Sequence, residues 1–175
     1  MHGVVHSQFK NFVEKNYGPS AWQNTLVSAG FTNKIFVVTS SYPDEQIMAI
    51  VRAASQETGV SASALLEAFG EYLFPILAKM YENLINPEWK TMEFLLKVED
   101  TIHAVVRRQT PDAHPPRLHF QKIGPNQLRL RYNSPRRLQS LAKGMLKAVA
   151  KRYGETIAFD ATKTQDGFDV VLTIT

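Results

Sequence analysis

The chain has 175 residues, of which 44% are hydrophobic, 10% aromatic and 21% charged. This apolar content supports one substantial core, and the length is too short for two comfortable domains, so we expect a single soluble domain. Lys and Arg number 20 against 16 Asp and Glu, which gives a formal net charge of +4. Such a bias permits anionic partners without requiring nucleic acid.

Cysteine is absent from the sequence. Its absence excludes disulfides, thiolate-ligated haem, iron–sulfur clusters, cysteine-based zinc sites and thiol nucleophiles. The N-terminus has no charged segment followed by an apolar run and a cleavage site, and no apolar stretch approaches the roughly 18 residues of a membrane span. We therefore predict a cytoplasmic protein that does not insert into a membrane.

The first half of the chain has apolar residues at helical spacing and predicts five helices. Ser20 and Ser61 are predicted N-caps, and Pro75 is expected to kink the fourth helix because it removes a backbone donor. The predicted helices run from about Val5 to Asn16, from Ser20 to Leu26, from Asp44 to Gly59, from Ser61 onward, and from about Glu88 to Arg108.

The second half alternates apolar and polar residues and predicts strands. One hairpin is expected on each side of a helix that runs from Pro135 to Tyr153, with Ser134 as its N-cap. The predicted fold class is therefore α+β: an N-terminal helical subdomain at about residues 1–65, and a part at about residues 66–175 that ends in a ββαββ unit with a four-stranded antiparallel sheet.

His103 is the first candidate functional residue. It shares a predicted helix face with Met92, Leu96 and Val106, so its imidazole should point inward. A lone histidine on an apolar face is more often a hydrogen-bonded core residue than a metal ligand. If it is a ligand, haem suits it better than zinc, because a porphyrin supplies four nitrogens and needs only an axial partner.

A second candidate group lies where a strand meets a helix. Tyr132 is on the inward strand face, and Ser134 and Arg136 are at the predicted helix N-terminus, where free N–H groups favour anions. Arginine suits bidentate binding of a carboxylate, so this group could hold haem propionates or another anion. The alternative is that Ser134 only caps, Tyr132 only packs and Arg136 is solvated.

Several segments in chain order resemble one family. They are Met1–Val5, Phe69–Tyr72, Val98–His103, Pro115–Leu118, and the Tyr-x-Ser-x-Arg motif at Tyr132, Ser134 and Arg136. Together they resemble the H-NOX family, the haem-nitric oxide/oxygen binding or HNOB domains, over essentially the whole chain. The resemblance implies the H-NOX fold and haem b, iron protoporphyrin IX, as cofactor.

The resemblance also implies residue roles. His103 would be the proximal iron ligand, and Tyr132, Ser134 and Arg136 would hold the propionates. Pro116 would match the family proline that presses on the porphyrin, and Asp44 lies near a position that braces the clamp arginine.

Family members that bind oxygen stably use a distal tyrosine, whose position here matches Leu141. The expected distal wall is apolar, so we predict binding of NO and CO without stable O₂ binding. Tyr72 is the nearby polar group without an assigned role. The predicted wall comprises Val5, Leu73, Phe74, Leu141 and Met145.

The resulting hypothesis is a gas sensor, not an enzyme, that signals through a conformational change. The resemblance implies a separate partner: a histidine kinase, a cyclic-di-GMP enzyme or a chemotaxis protein. A haem-free ligand-binding or interaction module on the same fold is the main alternative.

A hydrolase using His119, Asp160 and Ser134 lacks any supporting motif. Nucleic-acid binding lacks interleaved exposed aromatics, and Lys143 and Lys147 are predicted to be solvated. His2, His6, His114 and His119 are interpreted as surface or loop residues.

Overall fold

The computed structural model describes residues 1–109, 115–133, 138–164 and 167–175. Seven α-helices lie within these ranges: α1 Gly3–Tyr17, α2 Pro19–Ser28, α3 Asp44–Thr58, α4 Ala62–Met80, α5 Thr91–Lys97, α6 Ala104–Gln109 and α7 Gln139–Arg152. A 3₁₀ turn occupies Glu82–Leu84, and a π-helical turn, Glu99–His103, joins α5 to α6. The predicted fifth helix is therefore present as one helical stretch with a wider turn inside it.

The helix ends follow local chemistry, with two corrections. Ser61 caps α4 as predicted, because its hydroxyl accepts from the Ala64 N–H at 3.3 Å. Ser20 does not cap α2, which begins one residue earlier after Gly18. The start of α7 was also predicted too early, since Leu138 is non-helical and serves as the N-cap. Ser134 and Pro135 lie outside the described residues.

The sheet has four antiparallel strands in the order β1-β2-β4-β3. The strands are β1 Arg117–Gly124, β2 Gln127–Asn133, β3 Ile157–Thr164 and β4 Gly167–Ile174. Leu128, Leu130 and Tyr132 alternate on the buried face of β2, as the period of two predicts. This arrangement confirms the predicted four-stranded antiparallel sheet.

Two apolar clusters meet within α4. The N-terminal cluster is formed by α1, α2, α3 and the first half of α4, including Phe9, Phe69 and Leu73. The C-terminal cluster is formed by other residues of α4, including Phe74, together with α5, the π turn, α7 and the sheet. One continuous helix therefore contributes to both clusters. This helix runs on through Pro75.

The helices α4 and α7 cross at two glycines. A Cβ on Gly70 would lie 2.3 Å from the Leu141 carbonyl oxygen, and one on Gly144 would lie 1.9 Å from the Glu67 carbonyl oxygen. Only hydrogen allows backbones to approach this closely. Glu67 also pairs with Lys143 and Lys147, so these lysines are not simply solvated as predicted.

No single helix among the described residues has both the length and the apolarity to cross a membrane. Only α3 and α4 taken together meet those criteria, across a bend of 108°.

Candidate functional site

An apolar cavity of about 290 Å³ lies where the two core clusters meet. Val5, Leu138 and Leu141 on its wall belong to the N-terminal side, whereas Phe74 and Met145 pack with the C-terminal cluster. Concave, mostly apolar sites with a few polar groups are typical of small-molecule and cofactor binding. The cavity is therefore the candidate site.

His103 lines this cavity and is held by a carboxylate. Its Nδ1 lies 2.9 Å from Oε2 of Glu99, and its side chain is 17% exposed. Burial lowers the pKa of His103 below its ordinary value, and the hydrogen bond to Glu99 opposes this shift without cancelling it. A carboxylate can only accept, so the neutral imidazole donates from Nδ1 and keeps its lone pair on Nε2.

The π turn changes which residues face the cavity with His103. The His103 N–H donates to the Val98 carbonyl, five residues back, at 3.0 Å. This turn holds one more residue than an α-helical turn, so the residue aligned with His103 is Leu95 and not the predicted Leu96. Leu95 lines the cavity, whereas Leu96 and Met92 only pack against the core.

Sequence reasoning missed the polar group behind His103. Arg107 Nη2 donates to Oε1 of Glu99 at 2.7 Å, and the Leu118 N–H donates to Oε2 of the same carboxylate at 3.3 Å. The sequence did carry a signal for Glu99 and Arg107, because positions 99, 103 and 107 are four apart on one predicted helix and so lie on the same face. The contact with β1 needs the tertiary fold and had no sequence signal.

The predicted clamp is only partly described. Tyr132 is 3% exposed and lines the cavity, as does Pro116. Ser134 and Arg136 lie outside the described residues, so their positions relative to Tyr132 stay a prediction. Asp44 accepts from the N-terminal ammonium at 2.7 Å.

The structure brings together four of the five residues predicted for the distal wall. Val5, Phe74, Leu141 and Met145 line the cavity. Leu73 does not, because adjacent helical residues point about 100° apart and Leu73 faces the N-terminal core. Tyr72 also packs with that core. Two polar side chains with no predicted place at the cavity lie on its lining: Tyr81, and His2, which the sequence analysis interprets as a surface or loop residue.

The remaining residues considered from the sequence do not form a second site within the described part of the chain. His119 and Asp160 are exposed on β1 and β3, the two edge strands, with two strands between them. His6 was interpreted as a surface or loop residue, which is wrong: it is 0% exposed within α1. The error arose because residues 31–42 cover this face of α1, and their position has no periodic signal.

The chemistry of the donor set fits haem better than a metal held by protein alone. No group of three or more His, Asp or Glu side chains suitable for a metal ion occurs in the described part of the chain. A single neutral imidazole with a carboxylate on its other nitrogen is the usual form of a histidine metal ligand. Beside an apolar cavity, it suits an axial ligand to a porphyrin.

Comparison with known proteins identifies the family. The haem-NO-binding family model, HNOB, matches residues 2–161. The chain belongs to this family. HNOB, or H-NOX, domains bind haem and act as gas sensors, so the resemblance stated from the sequence is confirmed.

Curated relatives of this HNOB chain include two soluble guanylate cyclases from Caenorhabditis elegans. The first, gcy-32, is 24% identical over 157 residues, covering 87% of this chain and 23% of the cyclase. The second, gcy-35, is 22% identical over 161 residues, covering 89% of this chain and 23% of the cyclase. The chain thus spans less than a quarter of these relatives.

Solved H-NOX structures share the whole fold. An H-NOX protein from S. oneidensis in the Fe(II)NO state superposes with a TM-score of 0.91 at 23% identity, covering 100% of this chain and 99% of that one. An unliganded Fe(II) H-NOX protein from K. algicida gives 0.90 at 20% identity, covering 100% and 97%. At these identities the likeness establishes the fold, and the predicted α+β class is confirmed.

Proposed function

We propose that this chain binds haem b through His103 and senses NO, with CO as a second ligand. The observation that carries the proposal is the imidazole of His103, oriented by Glu99 at the wall of the apolar cavity. When bound, ferrous haem would supply an iron that accepts a diatomic gas. The solved S. oneidensis relative is an Fe(II)NO form, which supports this ligand class.

The propionates would be held at the β2 end of the cavity. Tyr132 would contribute its phenol, with Ser134 and Arg136 completing the clamp, since Arg suits a carboxylate. Pro116 lines the cavity beside β1 and would press on the porphyrin. In this arrangement a residue of β2 would help to hold the propionates, and a residue of the π turn would supply the iron ligand.

Ligand preference would follow from the distal lining. Val5, Phe74, Leu141 and Met145 carry no hydrogen-bond donor, so they favour NO and CO over O₂, which gains from a donor. Beyond His103 and Tyr132, which this proposal assigns to the iron and the propionates, Tyr81 and His2 are the described side chains on the lining that could donate.

The output would be a conformational change read by a separate signalling protein. His103 is on the π turn, and residues 91–109 form one helical stretch, so movement of His103 displaces that stretch. We propose a histidine kinase, a cyclic-di-GMP enzyme or a chemotaxis protein as the partner. Nucleic acid and membrane insertion have no role in this proposal.

Replacing His103 tests the proposal. The ferrous protein should show haem absorption bands that shift with NO and with CO and form no stable complex in air. His103→Gly should lose haem and regain it with free imidazole, while His119→Gly, which alters an exposed histidine, should behave like the wild type. Haem retention by His103→Gly without imidazole, with an unchanged spectrum, would contradict the assignment.

A further inference from the structure

Glu99 is the polar centre of the cavity wall behind His103. Three donors reach its carboxylate: His103 Nδ1 at 2.9 Å, Arg107 Nη2 at 2.7 Å and the Leu118 N–H at 3.3 Å. The Glu99 side chain is 20% exposed. One carboxylate therefore joins the π turn, α6 and β1, and both of its oxygens are occupied.

The charge on Glu99 is maintained by these donors. Arg107 Nη2 lies 2.7 Å from Oε1 of Glu99, and a guanidinium at this distance favours the ionised carboxylate. A charged acceptor on Nδ1–H increases the basicity of Nε2 and fixes the direction of the ring. Arg107 shares the same carboxylate, so it withdraws part of that effect.

We propose that Glu99 is a positioning residue that orients His103 and strengthens it as an axial ligand, and that Arg107 limits this strengthening. The inference rests on the proposed function, because it requires His103 to ligate haem iron. It goes further by assigning the strength of the bond between His103 and the haem iron to a carboxylate that also contacts β1 through Leu118. Glu99 would thus set how readily His103 is released from the iron, and it connects His103 to the sheet.

The test measures the iron–histidine stretching frequency of the ferrous haem-loaded protein by resonance Raman, together with the rate of haem transfer to apomyoglobin. Glu99→Gln should lower the frequency and accelerate haem loss by about 10–100-fold, the usual effect of removing such a partner. Arg107→Gln should raise the frequency, because the negative charge of Glu99 then acts on His103 without the opposing positive charge of Arg107. Opposite shifts cannot arise from a general loss of packing.

Two further variants make the test specific. Glu99→Asp keeps the charge on a shorter arm and should give an intermediate frequency. Asp100→Asn removes an exposed carboxylate from the next position of the same π turn and should change neither readout. Circular dichroism melting verifies that each variant is folded.

The failures are distinguishable. An unchanged frequency in Glu99→Gln, or a shift of Arg107→Gln in the same direction as Glu99→Gln, overturns the role of Glu99 and leaves the haem assignment standing. Absence of an iron–histidine band in the wild type, with haem bound, overturns the ligand role of His103 as well.

Discussion

Among the histidines that the structure describes, His6 and His103 lie in contrasting surroundings. His6 in the N-terminal core stacks on Phe36 with ring centroids 4.6 Å apart, and no carboxylate lies within hydrogen-bond distance of its ring nitrogens among the described residues. His103 lies on a cavity wall with Glu99 at 2.9 Å. Burial alone therefore does not mark a ligand. A fixed tautomer beside an apolar cavity is what marks a ligand. His6 is instead a packing residue, and its burial lowers the free energy of unfolding at acidic pH.

The largest stability effect should come from titration of His6. Burial, with the N-terminal ammonium and Lys34 adding to it, lowers the pKa of His6 from 6.5 to about 4, and the backbone of His2 and the charge of Asp44 oppose this shift only partly. Between those pH values the unfolded chain binds a proton that the folded chain does not. The free energy of unfolding should therefore fall by up to about 3 kcal/mol as the pH drops through this window. Above the window the stabilising contribution of neutral His6 is complete.

Urea unfolding of the wild type and His6→Phe, at about pH 7 and about pH 4.5, checks this expectation. The variant should lose less stability on acidification than the wild type. A smaller dependence should remain, because the pKa of His103 is also lowered. His119→Phe, an exposed control, should keep the wild-type dependence. An equal loss in His6→Phe and the wild type would show that His6 is not the source.

The contrast between the regions also shows what sequence could predict. Both hairpins and the inward face of β2 follow from alternation, and the end of α3 follows from Gly59, whose φ of 69° suits glycine. The inward position of His103 follows from helical spacing. The π turn does not, because adding one residue to a turn leaves no mark in a 3.6-residue period.

The cover over His6 and the β1 contact of Glu99 depend on segments distant in the chain. Local patterns cannot predict such contacts, and so the candidate site was predicted less completely than the fold. Leu73 and Phe74 show the same limit on a smaller scale, since one step along α4 separates the N-terminal core from the cavity.

An intermediate loss of folding stability is expected at the crossing of α4 and α7, where the two regions join. In Gly144→Ala the new Cβ would lie 1.9 Å from the Glu67 carbonyl oxygen, which is backbone and cannot turn aside. The clash should outweigh the helix propensity gained from alanine and lower the free energy of unfolding by about 2 kcal/mol. Denaturant unfolding measures this loss.

Gly124→Ala is the matched control. There the Cβ would meet only the movable Gln127 side chain, at 3.2 Å. Its effect should stay within about 0.5 kcal/mol. Equal effects of the two substitutions would mean that the crossing of α4 and α7 tolerates separation, and that the two regions are joined less rigidly than their backbones indicate.

The smallest effect should come from the ion pairs at the same crossing. Burial opposes ionisation of Glu67, but hydrogen bonds from Lys147 and Lys143 outweigh it and lower the pKa of Glu67. The pairing therefore stabilises the fold above the ordinary glutamate pKa and is lost as pH falls through the lowered one. Because Lys143 and Lys147 are 43% and 39% exposed, solvent screening limits the contribution to about 0.5–1 kcal/mol.

Glu67→Gln should lose this amount in dilute buffer and less in about 1 M salt, which screens the pairs. Glu82→Gln, whose partner Lys79 is 78% exposed, should change little and serves as the control. The unfolding free energies of Glu67→Gln and Gly144→Ala then separate two ways of joining the regions. A loss in Glu67→Gln as large as that in Gly144→Ala would mean that charge, and not close backbone contact, holds the N-terminal core against the cavity.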